Sequence, residues 1–177
     1  MKTEKKTCCV FGHRKITEEG KLKARLADIF EYLIANENVE TFLLGSRSEF
    51  DDLCCEVLAD KKEKYPHIQR VYVRGEFPYI SKDYESFLLE SYEKTYFPQR
   101  AINAGKAVYV ERNYEMIDNA DICIVYFKEN YLPPRRKNSW RDLSDYQPKS
   151  GTGIAYKYAV QKKRTIINLA EEEQKIL

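Results

Sequence analysis

Short blocks of consecutive apolar residues alternate along this chain with longer stretches in which apolar residues recur every three or four positions. Thr7-Cys8-Cys9-Val10-Phe11 is the first block and Gly12 ends it; Leu22, Leu26, Ile29, Phe30, Leu33 and Ile34 then follow at helical spacing. The unit repeats with Thr41-Phe42-Leu43-Leu44, closed by Gly45, and a helix marked by Leu53, Cys54, Val57 and Leu58 that Pro66 stops. Arg70-Val71-Tyr72-Val73 predicts a third strand, and Tyr84, Phe87, Leu88 and Tyr92 predict a helix running to Phe97, before Pro98. Lys106-Ala107-Val108-Tyr109-Val110 predicts a fourth strand, with a short helix over 114–119 after it. Ile122 to Phe127 is the most apolar stretch, as expected of a central strand buried on both faces. A polar segment over 128–149 leads to a helix over 152–163, and Thr165 to Leu169 predicts the last strand.

Strands that run as continuous apolar blocks and alternate with helices predict an α/β fold with a mainly parallel sheet of about six strands, covered on both sides. The 177 residues suffice for one well-buried domain and are too few for two of ordinary size, so 1–177 is read as one domain. With 43% hydrophobic and 33% charged residues and no low-complexity tract, disorder is expected only at the two ends.

Composition removes several function classes. The segment Met1 to Lys6 has no apolar region behind its charges, and no apolar run approaches the roughly 20 residues of a membrane span, which predicts a cytoplasmic protein without membrane contact. Cys8, Cys9, Cys54, Cys55 and Cys123 are odd in number and sit in apolar segments, as reduced buried thiols do. Adjacent strand residues point to opposite faces, which argues against a metal site built from the Cys-Cys pairs; no metal or cofactor is expected. A net charge of +2 gives no case for nucleic acid. The clusters Arg135-Arg136-Lys137 and Lys162-Lys163-Arg164 read as a solvated loop and the cation-favouring end of a helix, so a nucleic-acid partner ranks last.

In a parallel sheet ligands bind beyond the carboxyl ends of the strands, which is where this chain concentrates its chemistry. Gly12-His13-Arg14 follows the first strand: a glycine that allows close approach, then an imidazole and a guanidinium able to donate to phosphate or a base edge. The bland alternative for His13 is a structural hydrogen bond. Gly45-Ser46-Arg47-Ser48-Glu49-Phe50-Asp51 follows the second strand, with Ser46 and Glu49 at capping-box spacing and Arg47 beside them. Arg112-Asn113 is expected just after the fourth strand, reaching a ligand or, in the alternative, with Arg112 pairing Asp118 on the surface. Ser150-Gly151-Thr152-Gly153 precedes the last helix, where two glycines around a threonine let a phosphate sit close to the backbone.

Four motifs in this order resemble the SLOG superfamily, the Rossmann-like group that includes the lonely-guy phosphoribohydrolases and the DNA-processing Smf proteins. They are Cys8 to Arg14; Gly45 with Phe50-Asp51-Asp52-Leu53; Arg112 to Asp121; and Gly151-Thr152 with Ala155 and Tyr158-Ala159. The branch most similar is the YpsA-like (DUF1273) proteins, and the resemblance spans roughly Thr7 to Leu169. It implies a Rossmann-like three-layer sandwich and a site for nucleotides or nucleotide-derived signals, including the ADP-ribose type. Two departures stand out. Ser46-Arg47-Ser48-Glu49 replaces further glycines of the second turn, and Gly153-Ile154-Ala155-Tyr156 follows Thr152 where the hydrolase branch places a glutamate.

The expectation is therefore a ligand-binding module without strong catalysis, formed by Gly12, His13, Arg14, Gly45, Ser46, Arg47, Phe50, Asp51, Arg112, Asn113, Ser150, Gly151, Thr152 and Gly153. The rival is a hydrolase of an N-glycosidic or phosphoester bond in a nucleotide, with Asp51, Glu76 or His13 as acid or base. The sequence shows no attached effector domain, which suits a sensor acting on a partner or a protein that sequesters its ligand. Between them, Tyr131, Arg135, Arg136, Trp140 and Tyr146 give the 128–149 segment the means to close over a base and phosphate or to dock on a second subunit of a homo-oligomer.

Overall fold

The structure, a computed structural model, describes residues 4–45, 47–132 and 150–171. Strands β1 (Lys6–Gly12), β2 (Val39–Leu44), β3 (Gln69–Val73), β4 (Lys94–Tyr96), β5 (Ile122–Tyr126) and β6 (Thr165–Asn168) form one sheet in the order β4-β3-β2-β1-β5-β6. Every neighbouring pair is parallel. Helices α1 (Glu19–Asn36), α2 (Glu49–Lys64), α3 (Lys82–Leu88), α4 (Val108–Asp118) and α5 (Gly151–Gln161) connect the strands. The result is an α/β Rossmann-like three-layer sandwich. No helix among the described residues is long and apolar enough to cross a membrane.

The period-two geometry of β1 divides the core into its two halves. Cys8 and Val10 pack with Leu26 and Phe30 of α1 and Leu53 and Leu58 of α2. Cys9 and Phe11 pack with Met116 and Ile117 of α4 and Ala155 and Ala159 of α5. The adjacent cysteines 8 and 9 thus face opposite layers, as expected. Cys9 Sγ lies 3.4 Å from Cys123 Sγ on the paired strand β5, and all five thiols are free, Cys55 alone among them not being fully buried.

The chain steps outward from β1 through β2 and β3 to β4, then returns to the other side of β1 to form β5 and β6. Strand order reverses between β1 and β5, so the connections leaving these two strands lead to helices on opposite faces, the switch point at which parallel α/β sheets place their ligands. Helices α1 and α2 lie on one face, α4 and α5 on the other.

One strand lies elsewhere than expected. Lys106 to Val110 is not a strand: Gly105–Ala107 is a 3₁₀ turn and Val108 opens α4. The β-branched run suggested a strand, but the buried positions Arg112, Met116 and Ile117 continue with helical spacing, and tertiary burial of that stripe decides the outcome. The fourth strand is Lys94–Tyr96, inside the stretch expected to be helical up to Phe97. Helix α3 stops at Leu88, and Glu93 binds Arg70 through backbone and side chain, which aligns the next three residues beside β3. A three-residue edge strand is too short to display alternation.

Candidate functional site

The sequence-predicted residues gather in two groups on the carboxyl edge. The first lies at the switch point. His13 follows β1 and is only 1% exposed. The backbone N–H of Lys128, just past β5, donates to His13 Nε2 at 2.8 Å. An amide nitrogen cannot accept, so Nε2 is the acceptor and the ring proton sits on Nδ1, which faces Ser150 Oγ at 3.4 Å. Burial, aided by the nearby Lys128 charge and opposed by a backbone hydrogen bond, lowers the imidazole to about 4. His13 is therefore neutral at pH 7, tying the β1 loop, the β5 loop and the start of α5 together. Tyr131 stacks on it with centroids 3.8 Å apart and planes 11° apart, and the buried Tyr131 hydroxyl has no hydrogen-bond partner among the described residues.

Ser150 caps α5, its Oγ accepting from Gly153 N–H at 3.3 Å. The N–H groups of Gly151 and Thr152 have no intrahelical acceptor available to them, and the Thr152 hydroxyl makes no hydrogen bond among the described residues. Phe127 stacks on Tyr156 at 4.6 Å beside this turn.

Glycines at the edge have different reasons for being there. A Cβ on Gly12 would lie 2.5 Å from Phe50 Cδ1, and one on Gly45 would lie 2.9 Å from both Met116 Sδ and the Val73 carbonyl. Both are demanded by packing inside the chain. Among the described residues a Cβ on Gly151 would meet nothing within 4 Å, and one on Gly153 would make only ordinary contact with Phe127 at 3.4 Å. Neither has a positive φ. Two glycines in one helical turn cost roughly 0.5–1 kcal/mol each relative to alanine, and no packing among the described residues requires them.

The second group lies beyond β2 and β3. The cap of α2 is Ser48, not Ser46: Ser48 Oγ accepts from Asp51 N–H at 3.0 Å and donates to Asp51 Oδ2 at 2.7 Å. Ser48 and Asp51 keep the three-residue spacing two positions further on, and Ser46 lies outside the described residues. Glu49 instead accepts from Ile16 N–H at 3.0 Å and pairs with Lys15. The Glu49 N–H donates to the Arg14 carbonyl at 3.0 Å, while the Arg14 side chain is exposed and makes no ion pair among the described residues. Phe50 is fully buried beneath Gly12 and stacks on Tyr126.

Arg112 and Asn113 lie within α4 rather than after a strand. Arg112 is 5% exposed; its Nη1 donates to the Gly45 carbonyl, and its Nε and Nη2 donate to Asn113 Oδ1 at 3.2 and 3.1 Å. Burial pulls its pKa below the ordinary arginine value, with Asp51 the leading opposing influence. Its guanidinium carbon sits 5.3 Å over the Tyr109 ring. The alternative Arg112–Asp118 pairing is not what forms: Asp118 binds Arg100 at 2.7 Å and accepts from Tyr158. Arg47 pairs with Glu76 at 3.0 Å, and hydrogen bonding to Tyr72 helps raise its pKa.

The three residues named as acids or bases are all engaged. His13 has both ring nitrogens facing neighbours, Asp51 holds the α2 cap, and Glu76 is in an ion pair. Sequence reasoning did not single out Ser48, Tyr72 or Tyr109, nor the pairing of Tyr131 with His13; nothing local marks such cross-strand partners. The expectations for residues 133–149, including Arg135, Arg136, Trp140 and Tyr146, fall outside the described residues. No family model matches this chain, and neither does any curated protein.

Proposed function

We propose that the protein binds a phosphate-bearing nucleotide or nucleotide-derived signal, of the ADP-ribose type, at the crevice between β1 and β5, acting as a sensor or sequestering protein of the SLOG superfamily's YpsA-like branch. The observation that carries this reading is the pair Gly151 and Gly153. Their cost to helix α5 has no return in packing among the described residues or in backbone geometry, unlike that of Gly12 and Gly45. Absent side chains at these two positions leave the N–H groups of Gly151 and Thr152, the two that the Ser150 cap does not use, open to a phosphate, where the helix dipole also favours negative charge. The Thr152 hydroxyl stands ready as a further donor, and the Tyr131 phenol, without a partner among the described residues, could take one from a bound ligand.

Binding without chemistry is favoured over hydrolysis because the nearby acids and bases are spent on holding the fold. A screen of thermal unfolding with ADP-ribose, NAD, ATP and cyclic nucleotides tests the reading. A ligand present at about 100 times its dissociation constant raises stability by roughly 2.7 kcal/mol. Absence of any shift across the panel contradicts it, and chromatographic turnover of a stabilising nucleotide would favour the hydrolase instead.

A further inference from the structure

A cavity of about 500 Å3 opens on the other side of the sheet edge from α5, between the first two turns of α1 and the chain leaving β5 and β6. Its volume is that of a small-molecule site. Thr17, Lys21 and Arg25, spaced four apart, line it together with Tyr126 and Lys128, both of which hydrogen-bond Thr17. Leu22 and Leu169 supply an apolar floor.

The three cations of this cavity are distinguished by what they do not bind. Lys5, Lys6, Lys15 and Lys23 each pair with a glutamate at 2.5–2.7 Å. Lys21, Arg25 and Lys128 make no ion pair among the described residues, although Glu18 and Glu171 stand at the same rim. The Arg25 guanidinium is held by the Leu169 carbonyl at 2.9 Å. The Lys128 ammonium is tethered to the Thr17 hydroxyl at 3.2 Å and lies 5.4 Å over the Tyr126 ring. Lys21 has no hydrogen-bond partner at all among the described residues. Burial would raise the Tyr126 phenol, yet hydrogen bonds with Thr17 and Lys128 draw it below its ordinary value, the sign of a positive local field. The α1 end beside these cations also lacks a side-chain acceptor, its cap Glu18 making no capping hydrogen bond.

We propose that this cavity is a second ligand site, taking a phosphate-bearing small molecule whose phosphate is held by Lys21 and Lys128 and whose organic part rests on Leu22 and Leu169. It stands apart from the α5 turn and does not rest on the reading of that turn. The two are linked through Lys128, whose backbone binds His13 while its side chain faces the cavity.

Lysine acetylation read by mass spectrometry tests the proposal in wild type and in Gly153→Val, which obstructs only the α5 turn. Adenosine 5′-monophosphate is the probe, adenosine its uncharged counterpart, sulfate the control for charge alone, and exposed Lys82 the internal reference. The expected result is a several-fold loss of labelling at Lys21 and Lys128, none at Lys82, no effect of adenosine, and the same protection in Gly153→Val. Lys21→Glu, a change on the exposed face of α1, is expected to abolish protection of Lys128. Unchanged labelling, equal protection by sulfate, or protection that disappears in Gly153→Val overturns the proposal; the last outcome would assign these lysines to the α5 site.

Discussion

The ring of Phe50 occupies the space that a side chain at Gly12 would need, with 2.5 Å between Phe50 Cδ1 and the position of such a Cβ. Phe50 is wholly buried at the start of α2, so the contact fixes how closely that helix approaches the end of β1. Gly12→Ala is expected to destabilise the protein by about 1–3 kcal/mol through overpacking. In a double-mutant cycle with Phe50→Ala the two losses are expected to sum to more than the double variant's loss, because deleting the ring removes the two closest contacts, at 2.5 and 2.7 Å, and leaves only that with the residue 50 Cβ at 2.9 Å. Strict additivity in urea unfolding would show that the glycine serves something other than this contact.

His13 makes stability depend on pH. Its folded value is about 4, against an ordinary 6.5, so between these values the unfolded chain binds more protons than the folded one. The stabilisation is complete above pH 6.5 and lost as pH falls toward 4, amounting to at most roughly 3 kcal/mol. Carboxylates with lowered values, such as Glu31 at about 2, add their losses lower down. The measurement is therefore the difference between wild type and His13→Gln in urea midpoints from pH 7 to 4. The gap between them is expected to narrow as pH falls; a constant gap refutes the assignment.

Arg112 is a buried cation whose hydrogen bonds, among the described residues, go to the Gly45 carbonyl and Asn113. Arg112→Met preserves much of the packing but removes the donor that joins α4 to the end of β2. A loss of about 1–3 kcal/mol is expected, with the fold retained by circular dichroism. A variant as stable as wild type would mean that the guanidinium is kept for a ligand alone.

Gly151→Ala and Gly153→Ala test the opposite case. Among the described residues nothing lies within 4 Å of a Cβ at 151 and only ordinary contacts surround one at 153, so each is expected to leave stability unchanged or raise it by up to about 1 kcal/mol. Thermal unfolding checks this directly. Clear destabilisation by either would restore a structural reason for these glycines.

Much of the fold was legible because it rests on burial patterns. The apolar blocks at Cys8 to Phe11 and Ile122 to Tyr126 identify strands buried on both faces, and Leu22 to Ile34 forms a clear stripe. The stretch from 82 to 110 misled because its edge strand is short and half-exposed, and because Val108 to Val110 resembles a strand locally while its burial serves a helix. At the edge, sequence named residues that do lie there but could not tell packing glycines from open ones, since the distinction rests on Phe50 and Met116 arriving from other elements. The cap at Ser48 was missed for a related reason: Ser46 and Ser48 offer the same spacing, and only the position of the helix start decides between them.

Calorimetric titration of ADP-ribose into wild type and Gly153→Val tests the central claim most directly. Valine at this position is expected to hinder a phosphate's approach to the backbone of α5, and a Cβ there meets Phe127 at ordinary contact distance, 3.4 Å. The account predicts saturable binding to wild type, a loss of at least about tenfold in affinity (1.4 kcal/mol) in the variant, and equal unfolding midpoints for the two unliganded proteins. Equal affinity in both proteins, or no heat of binding in wild type with ADP-ribose or any nucleotide of the thermal panel, would contradict it.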